Sequence, residues 1–404
     1  MRTLRICYVG GLDSIHLRRH ADWMIARGHE VHVITWSFPD LNRLSMPGAH
    51  VWKTRFVAPG LSRLISANSA LGLRVDILSK PLLFNGFREI LEKIRPDVTH
   101  GHFLTNTASL VAHAGSGAKV LTAWGSDVLR DGARSALCRG SFARAARRSG
   151  ALISVASHLL QRMHTMRIES KFEVVVPMGV DLEQFRLASR PTTAQPRLVS
   201  LRSLAPVYDV KTLIDAVPYV IHAFPDCRII IVGDGPLRKT LEERARHLGV
   251  AEHVDFLGNV PHEQVPEILG ASDLYISTAR SDGASVSLLE AMACGVPPIA
   301  TDIPANREWI ANAENGFLFP VGDSVDLAQK VVTLLQEPAL QAKFATKGRR
   351  IVELRADWKK CMEKLEAVYE ILVGHWMDSA DCFVCRRECH TIARSRPSSP
   401  LVSL

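Results

Sequence analysis

Short apolar runs alternate with amphipathic stretches along most of the chain. Arg5–Val9, Val31–Thr35, Val98–Phe103, Lys119–Leu121 and Ala151–Val155 read as strands. Between them, apolar residues three and four apart predict helices over His16–Arg27 (Leu17, Ala21, Met24 and Ile25), Phe87–Ile94 and Ser157–Met166. After a polar run, Ser189–Pro196, the pattern starts again. Strands are predicted at Arg197–Leu201, Arg228–Val232, Val254–Leu257, Leu274–Ser277 and Pro298–Thr301, and helices at Leu237–Leu248, Gln264–Leu269 and Val286–Cys294. Strand–helix alternation in both halves predicts an α/β protein with two doubly wound parallel sheets, binding ligands between them at the carboxyl ends of the strands. The predicted division is 1–188, a linker at 189–196, 197–356, a last helix at 357–373 and a tail at 374–404. Phe38–Gly86, punctuated by Pro39, Pro47, Pro59 and Pro81, gives no readable elements.

Composition narrows the class. The chain has 404 residues, 47% apolar and 22% charged, which suits a soluble protein large enough for two cores. No window approaches 18 apolar residues, so no membrane-crossing helix is expected. The apolar run in MRTLRICYVGG is too short for a signal-peptide core and reads as a first strand, so a cytoplasmic location is expected. The eight cysteines are scattered and predict no disulfide framework. In the tail, Cys382, Cys385, Cys389 and His390 crowd into nine residues, and the stretch reads either as a zinc site or as a disordered extension rich in Ser, Pro and Arg. The net charge of +8 favours an anionic partner, whether nucleic acid, nucleotide or membrane surface. Between Arg130 and Arg148, six arginines face a single acid, Asp131, beside Leu137, Phe142 and Ala145. Such a basic amphipathic face suits an anionic lipid surface or a lipid diphosphate, or is simply solvated; no nucleic-acid motif accompanies it.

Candidate chemistry concentrates in Arg280–Ile310, RSDGASVSLLEAMACGVPPIATDIPANREWI. The apolar strand Leu274–Ser277 leads into the small-residue turn Asp282-Gly283-Ala284-Ser285, then an apolar helix carrying Glu290, then the stop Gly295-Val296-Pro297. Strand, small-residue loop and helix aim free N–H groups at an anion, most often phosphate. Glu290 lies eight residues after Asp282, so the first acid is expected at the loop mouth and Glu290 about two turns into the helix. A carboxylate in an apolar helix needs a partner, either ligand hydroxyls or a protein cation.

This segment resembles the retaining, glycogen-synthase-like glycosyltransferases of family 4. Asp282, Gly283, Glu290, Ala291, Met292, Ala293, Gly295 and Pro297 fit that family's motif of an acid, seven residues, a Glu and AMA-x-G-x-P; the first acid is usually Glu there. Gly10, Gly11, His16 and Arg27–Val33 match its GG-x-x-x-x-H and RGHEVHV pieces, whereas a third glycine and a strand-ending acid needed for nicotinamide binding are absent. His100-x-His102 resembles its DVVHAH segment; zinc competes as a reading, but no convergent third ligand is evident in the sequence. Thr122–Asp127 is similar to another family segment, with Trp124 where His is common, and Val174–Phe185 to IPNGVD-x-x-x-F, with Met178 for Asn. Arg202 matches a diphosphate-binding arginine, but the lysine usual five residues on is missing and Lys211 could substitute only if the loop folds back.

The resemblance implies a GT-B architecture, two Rossmann-like domains facing across a cleft, with Phe38–Gly86 either selecting the acceptor or forming surface loops. It implies a terminal helix, Asp357–Val373, that returns to the first domain. It also implies transfer of a sugar from a nucleotide diphosphate donor, with no cofactor and no catalytic metal, to a saccharide or lipid-linked acceptor. Glu290 would hold the ribose, Asp282 and His102 the donor sugar, and Arg202 the diphosphate. Gly10, Gly11, Gly283, Ala284, Ser285, Lys211 and Gly233 would line the donor, and His16 and Asp127 the acceptor side. A role in cell-surface polysaccharide, lipopolysaccharide or glycolipid assembly, at the inner face of the membrane, follows as an expectation. A nucleotide-sugar epimerase and a non-catalytic nucleotide-sugar-binding protein remain as alternatives.

Overall fold

The structure, a computed structural model, describes residues 2–36, 45–54, 86–105, 107–113, 117–133, 135–187 and 195–377. It divides into two compact units: residues 1–176 with 362–404, and residues 177–361. The first holds a parallel sheet of β1 (Arg5–Val9), β2 (Glu30–Trp36), β3 (Ala49–Thr54), β4 (Val98–His102), β5 (Ala118–Ala123), β6 (Ala151–Ser154) and β7 (Glu173–Val175). The strand order is β3-β2-β1-β4-β5-β6-β7. The second unit holds β8 (Arg197–Leu201), β9 (Arg228–Val232), β10 (Val254–Gly258), β11 (Leu274–Ser277), β12 (Pro298–Thr301) and β13 (Phe317–Phe319), in the order β10-β9-β8-β11-β12-β13.

Both sheets reverse direction of travel beside their first strand, between β1 and β4 and between β8 and β11. Diverging loops leave a crevice at such a switch point, which is where doubly wound sheets bind ligands. The strands read as apolar runs because helices cover both faces. In the second unit, Leu274 and Ile276 face a core shared with the helices Val210–Ala223 and Ser324–Gln336, while Tyr275 between them faces the helix Val286–Ala293.

Several boundaries move. The second unit begins at Pro177, before the polar run, because the backbone of Val180 bonds to Ala356 and Trp358 and Phe185 is buried in that unit's core. The linker at 189–196 falls largely outside the described residues, as does most of Phe38–Gly86, although Ala49–Thr54 is a strand paired in parallel with β2. The last helix runs Trp358–Met377, past the expected end at Val373. The tail cysteines and His390 lie outside the described residues. The basic stretch is not one helix: a π-helical turn over Asp127–Gly132 precedes a separate helix, Ala136–Arg148, capped by the Ser135 side chain. Among the described residues, no helix is long and apolar enough to cross a membrane.

Candidate active site

In the second unit, Arg202 leaves the end of β8 at the switch point. Its Nη2 lies 2.7 Å from Asp282 Oδ2, with both side chains about 90% buried at 9% and 10% exposure. The guanidinium also sits over the Tyr208 ring, 5.3 Å from its centroid. Burying this cation requires a counter-charge and Asp282 supplies it. Arg202 Nε nevertheless has no hydrogen-bond partner among the described residues, a buried donor held ready for an acceptor. The Arg202–Leu204 loop is fixed from the other side by the β9 turn: Leu204 N–H donates to Asp234 O (3.0 Å) and Arg202 N–H to Val232 O (3.1 Å). Only glycine fits at Gly233, where φ is +129° and a Cβ would fall 2.4 Å from Arg202 O.

Glu290 lies on the helix Val286–Ala293, just over one turn from its start, because Asp282–Ser285 is not helical. The expectation of two turns is corrected accordingly. Its neighbours Leu288, Leu289, Ala291, Met292 and Ala293 are buried, and the Glu290 side chain itself is only 9% exposed. His262 Nε2 meets Glu290 Oε1 at 2.8 Å. The Asp282 loop is pinned by Ser285, whose hydroxyl bonds to Asp282 Oδ2 (3.2 Å) and Asn306 Oδ1 (2.8 Å); Asn306 in turn donates to Thr301 O. Arg202, Gly233, Asn259, Val260, His262 and Glu290 all line one cavity of about 250 Å³.

In the first unit, β1 and β4 bring a histidine cluster together at the other switch point. His16 stacks on Trp124 (4.3 Å, 11° between planes), and His20, His100 and His102 converge beside it. One nitrogen from each of these last three lies within 4.8 Å of the others, so the third histidine that the sequence did not show is His20. Both ring nitrogens of His100 are already bonded, to Tyr369 Oη (2.5 Å) and Thr122 Oγ1 (2.6 Å), and a metal would have to displace one. Burial keeps all four imidazoles neutral: it pushes His100 down to about 3 and His16 to about 4, and His20 and His102 well below the usual range. Both nitrogens of His102 and the Trp124 indole N–H find no partner among the described residues.

Residues 183–351 match the family described as Glycosyl transferases group 1, and residues 5–156 the one described as Glycosyl transferase 4-like. The first match contains Arg202, Asp282 and Glu290; the second contains His102. The chain belongs to the group 1 glycosyltransferases. It is similar to the phosphatidyl-myo-inositol mannosyltransferase of Mycobacterium leprae, 31% identical over 216 residues that cover 52% of this chain and 57% of that protein. The chain thus spans about half the length of the first curated relatives it matches. Among solved structures it resembles sucrose-phosphate synthase from Thermosynechococcus elongatus (16% identity, TM-score 0.74, covering 92% of this chain and 100% of that one). It also resembles Anabaena HepE in complex with UDP and glucose (18% identity, TM-score 0.67, 91% and 100%). At these identities the likeness concerns the fold, which is GT-B.

As a group 1 glycosyltransferase, the chain gathers only some of the residues its sequence singles out. Arg202, Gly233 and Glu290 share the cavity, and Asp282 joins them through Arg202. Gly283 and Ala284 lie in the same loop as Asp282, half-buried. Lys211 is on the exposed side of the helix Val210–Ala223, paired with Asp215, and does not line the cavity. Gly10 packs under the cluster, with Leu17 and His102 closest to where a Cβ would stand, and Gly11 lies against Asp13. Asp127 is fully buried and its oxygens accept from the backbone N–H groups of Leu104, Trp124, Gly125 and Val128. It clamps the loops after β4 and β5 and presents no free oxygen to an acceptor. His262, Tyr208, Asn306 and His20 were missed, since each earns its place through a contact across the fold and not through a motif.

Proposed function

We propose that this chain transfers a sugar, with retention of anomeric configuration, from a nucleoside diphosphate sugar to a hydroxyl of a lipid-linked or saccharide acceptor. The observation that carries the reading is Arg202 and Glu290 on the walls of one cavity at the β8/β11 switch point. A ribose diol matches the carboxylate of Glu290. The leaving diphosphate matches Arg202, whose unbonded Nε–H and delocalised charge would stabilise negative charge as the glycosidic bond breaks. Each hydrogen bond to such a charged group is worth about 1.5–3 kcal/mol. With Lys211 committed to Asp215, Arg202 takes the larger share. Asp282, paired with Arg202 in the structure, would accept from a donor-sugar hydroxyl once the diphosphate takes over the guanidinium. In the first unit, the unbonded nitrogens of His102 suit a sugar hydroxyl, with neutral imidazole able to donate or accept.

The relatives support donor and acceptor class: HepE is in complex with UDP and glucose, and the mycobacterial relative is named for phosphatidyl-myo-inositol mannosyl transfer. A lipid-linked acceptor also agrees with the helix Ala136–Arg148, which buries Phe142, Ala143, Ala145 and Ala146 and leaves Arg144, Arg147, Arg148 and Leu137 exposed. Glycolipid or cell-surface polysaccharide assembly at the cytoplasmic face of a membrane is the setting we infer.

The test is a thermal-shift panel with UDP, GDP, ADP, their sugar conjugates and NAD. Ligand at a hundred times its dissociation constant stabilises by about 2.7 kcal/mol, enough to move a melting curve. We expect a shift with one nucleoside diphosphate and its sugar, lost in Glu290→Ala, and product formation when acceptor is added. A shift only with NAD, or none, overturns the reading. Donor binding without hydrolysis or transfer would favour a non-catalytic binding protein.

A further inference from the structure

The contact between His262 and Glu290 joins two elements that the family motif does not connect. Glu290 comes from the helix Val286–Ala293, and His262 opens a short turn after β10, within His262–Gln264. Both line the cavity, and 2.8 Å separates His262 Nε2 from Glu290 Oε1. The imidazole is held from behind as well, with its ring centroid 5.3 Å from that of Phe185. His262 is therefore a fixed N–H donor aimed at one carboxylate oxygen. Among the described residues, that oxygen's bond to His262 is the only hydrogen bond made by the Glu290 side chain.

A glutamate side chain has three freely rotating torsions, and most of that freedom is lost when it engages a diol. A donor that already fixes one oxygen removes this freedom before the ligand arrives and leaves the second oxygen in a set position. With one oxygen held by His262, the other stays available to accept from a ligand hydroxyl. We propose that His262 is the positioning residue for Glu290, and that it makes the cavity select ribonucleoside over 2′-deoxyribonucleoside diphosphates. The inference rests on the nucleotide-sugar reading above and adds what enforces recognition of the sugar in the nucleotide.

The experiment measures dissociation constants by titration calorimetry on the full chain. The ligands are the nucleoside diphosphate picked out by the thermal panel and its 2′-deoxy counterpart. Wild type should prefer the ribonucleotide by about ten- to a hundredfold, the range of one hydrogen bond to a charged group. Glu290→Gln should remove most of that preference. His262→Ala should shrink the ratio about fivefold or more, chiefly by weakening the ribonucleotide, and His262→Gln, whose amide can still donate to Oε1, should restore part of it. His262 is partly exposed and its replacement leaves the core untouched, so circular dichroism should match wild type. A wild-type ratio kept in His262→Ala while Glu290→Gln abolishes it overturns the inference and leaves the function standing. Equal affinity of wild type for both ligands overturns it too. If no nucleoside diphosphate binds wild type, the functional reading itself falls and takes the inference with it.

Discussion

Asp127 accepts from four backbone N–H groups on two loops, and that is a structural task for a side chain whose sequence context resembles a substrate contact. Asp127→Ala would leave buried donors unpaired at about 1–3 kcal/mol each. Urea unfolding should show a loss of about 3 kcal/mol or more, with Asp127→Asn milder; a loss below about 1 kcal/mol would mean that neighbours close over the gap. The Arg202–Asp282 pair behaves differently. Asp282→Ala strands a buried guanidinium, which typically costs about 3–5 kcal/mol, and a nucleoside diphosphate should recover part of it by supplying the missing charge. The observable is a ligand-induced melting shift larger in Asp282→Ala than in wild type. At this scale the sequence was legible wherever chemistry is local: Asp282, Glu290 and Arg202 stand in recognisable spacing. It was silent on His262 and Glu290, 28 positions apart, because only strand order brings them within hydrogen-bond reach.

Elements were easier to read than residues. Buried parallel strands give nearly unbroken apolar runs, and thus β1, β8 and β9 are found as expected, to the residue. Edges were less legible: β3 follows a proline-rich stretch and carries Lys53 and His50, so its pattern does not announce a strand. The π-helical turn at Asp127–Gly132 was invisible, since its geometry follows from Asp127 binding backbone and not from side-chain periodicity. The β9 turn offers a test at this scale. Gly233→Ala puts a methyl against Arg202 O and holds φ where L residues are strained by about 1–3 kcal/mol. Nucleoside diphosphate affinity should fall along with stability, because the Arg202 loop must shift to make room. An unchanged dissociation constant would show that this loop does not touch the ligand. For the helix Ala136–Arg148, changing Arg144, Arg147 and Arg148 to Glu should reduce pelleting with anionic vesicles and leave nucleotide binding intact. Undiminished pelleting would remove the membrane from the proposal.

For the molecule as a whole, the two units carry the same central strand order, and the first also carries a buried histidine cluster that responds to acid. His20, His100 and His102 are buried neutral, with folded pKa values below the unfolded value near 6.5. The unfolded chain therefore binds more protons below pH 6.5, and stability falls as pH drops from about 6.5 toward 3 by up to about 1.4 kcal/mol per pH unit for each histidine. Asp127, held above the usual carboxylate range by burial, works weakly in the opposite sense. Calorimetry at pH 7.5 and 5.5 should show the transition of the first unit moving down the most. His102→Gln should flatten that slope.

The last helix links this fold to its own synthesis. Glu366 bonds to Arg27 and His29, and Tyr369 to Tyr8 and His100, all within the first unit. His29 and His100 wait 337 and 269 positions for these partners. On the ribosome, these contacts form only after the entire second unit has emerged, and until then His29 keeps only its bond from the Leu4 N–H. The second unit, contiguous in sequence, is free to close first, reversing the order in which nascent domains ordinarily mature. A stop codon placed after Cys361 should accordingly spare the second unit and leave the earlier-made one to the proteases.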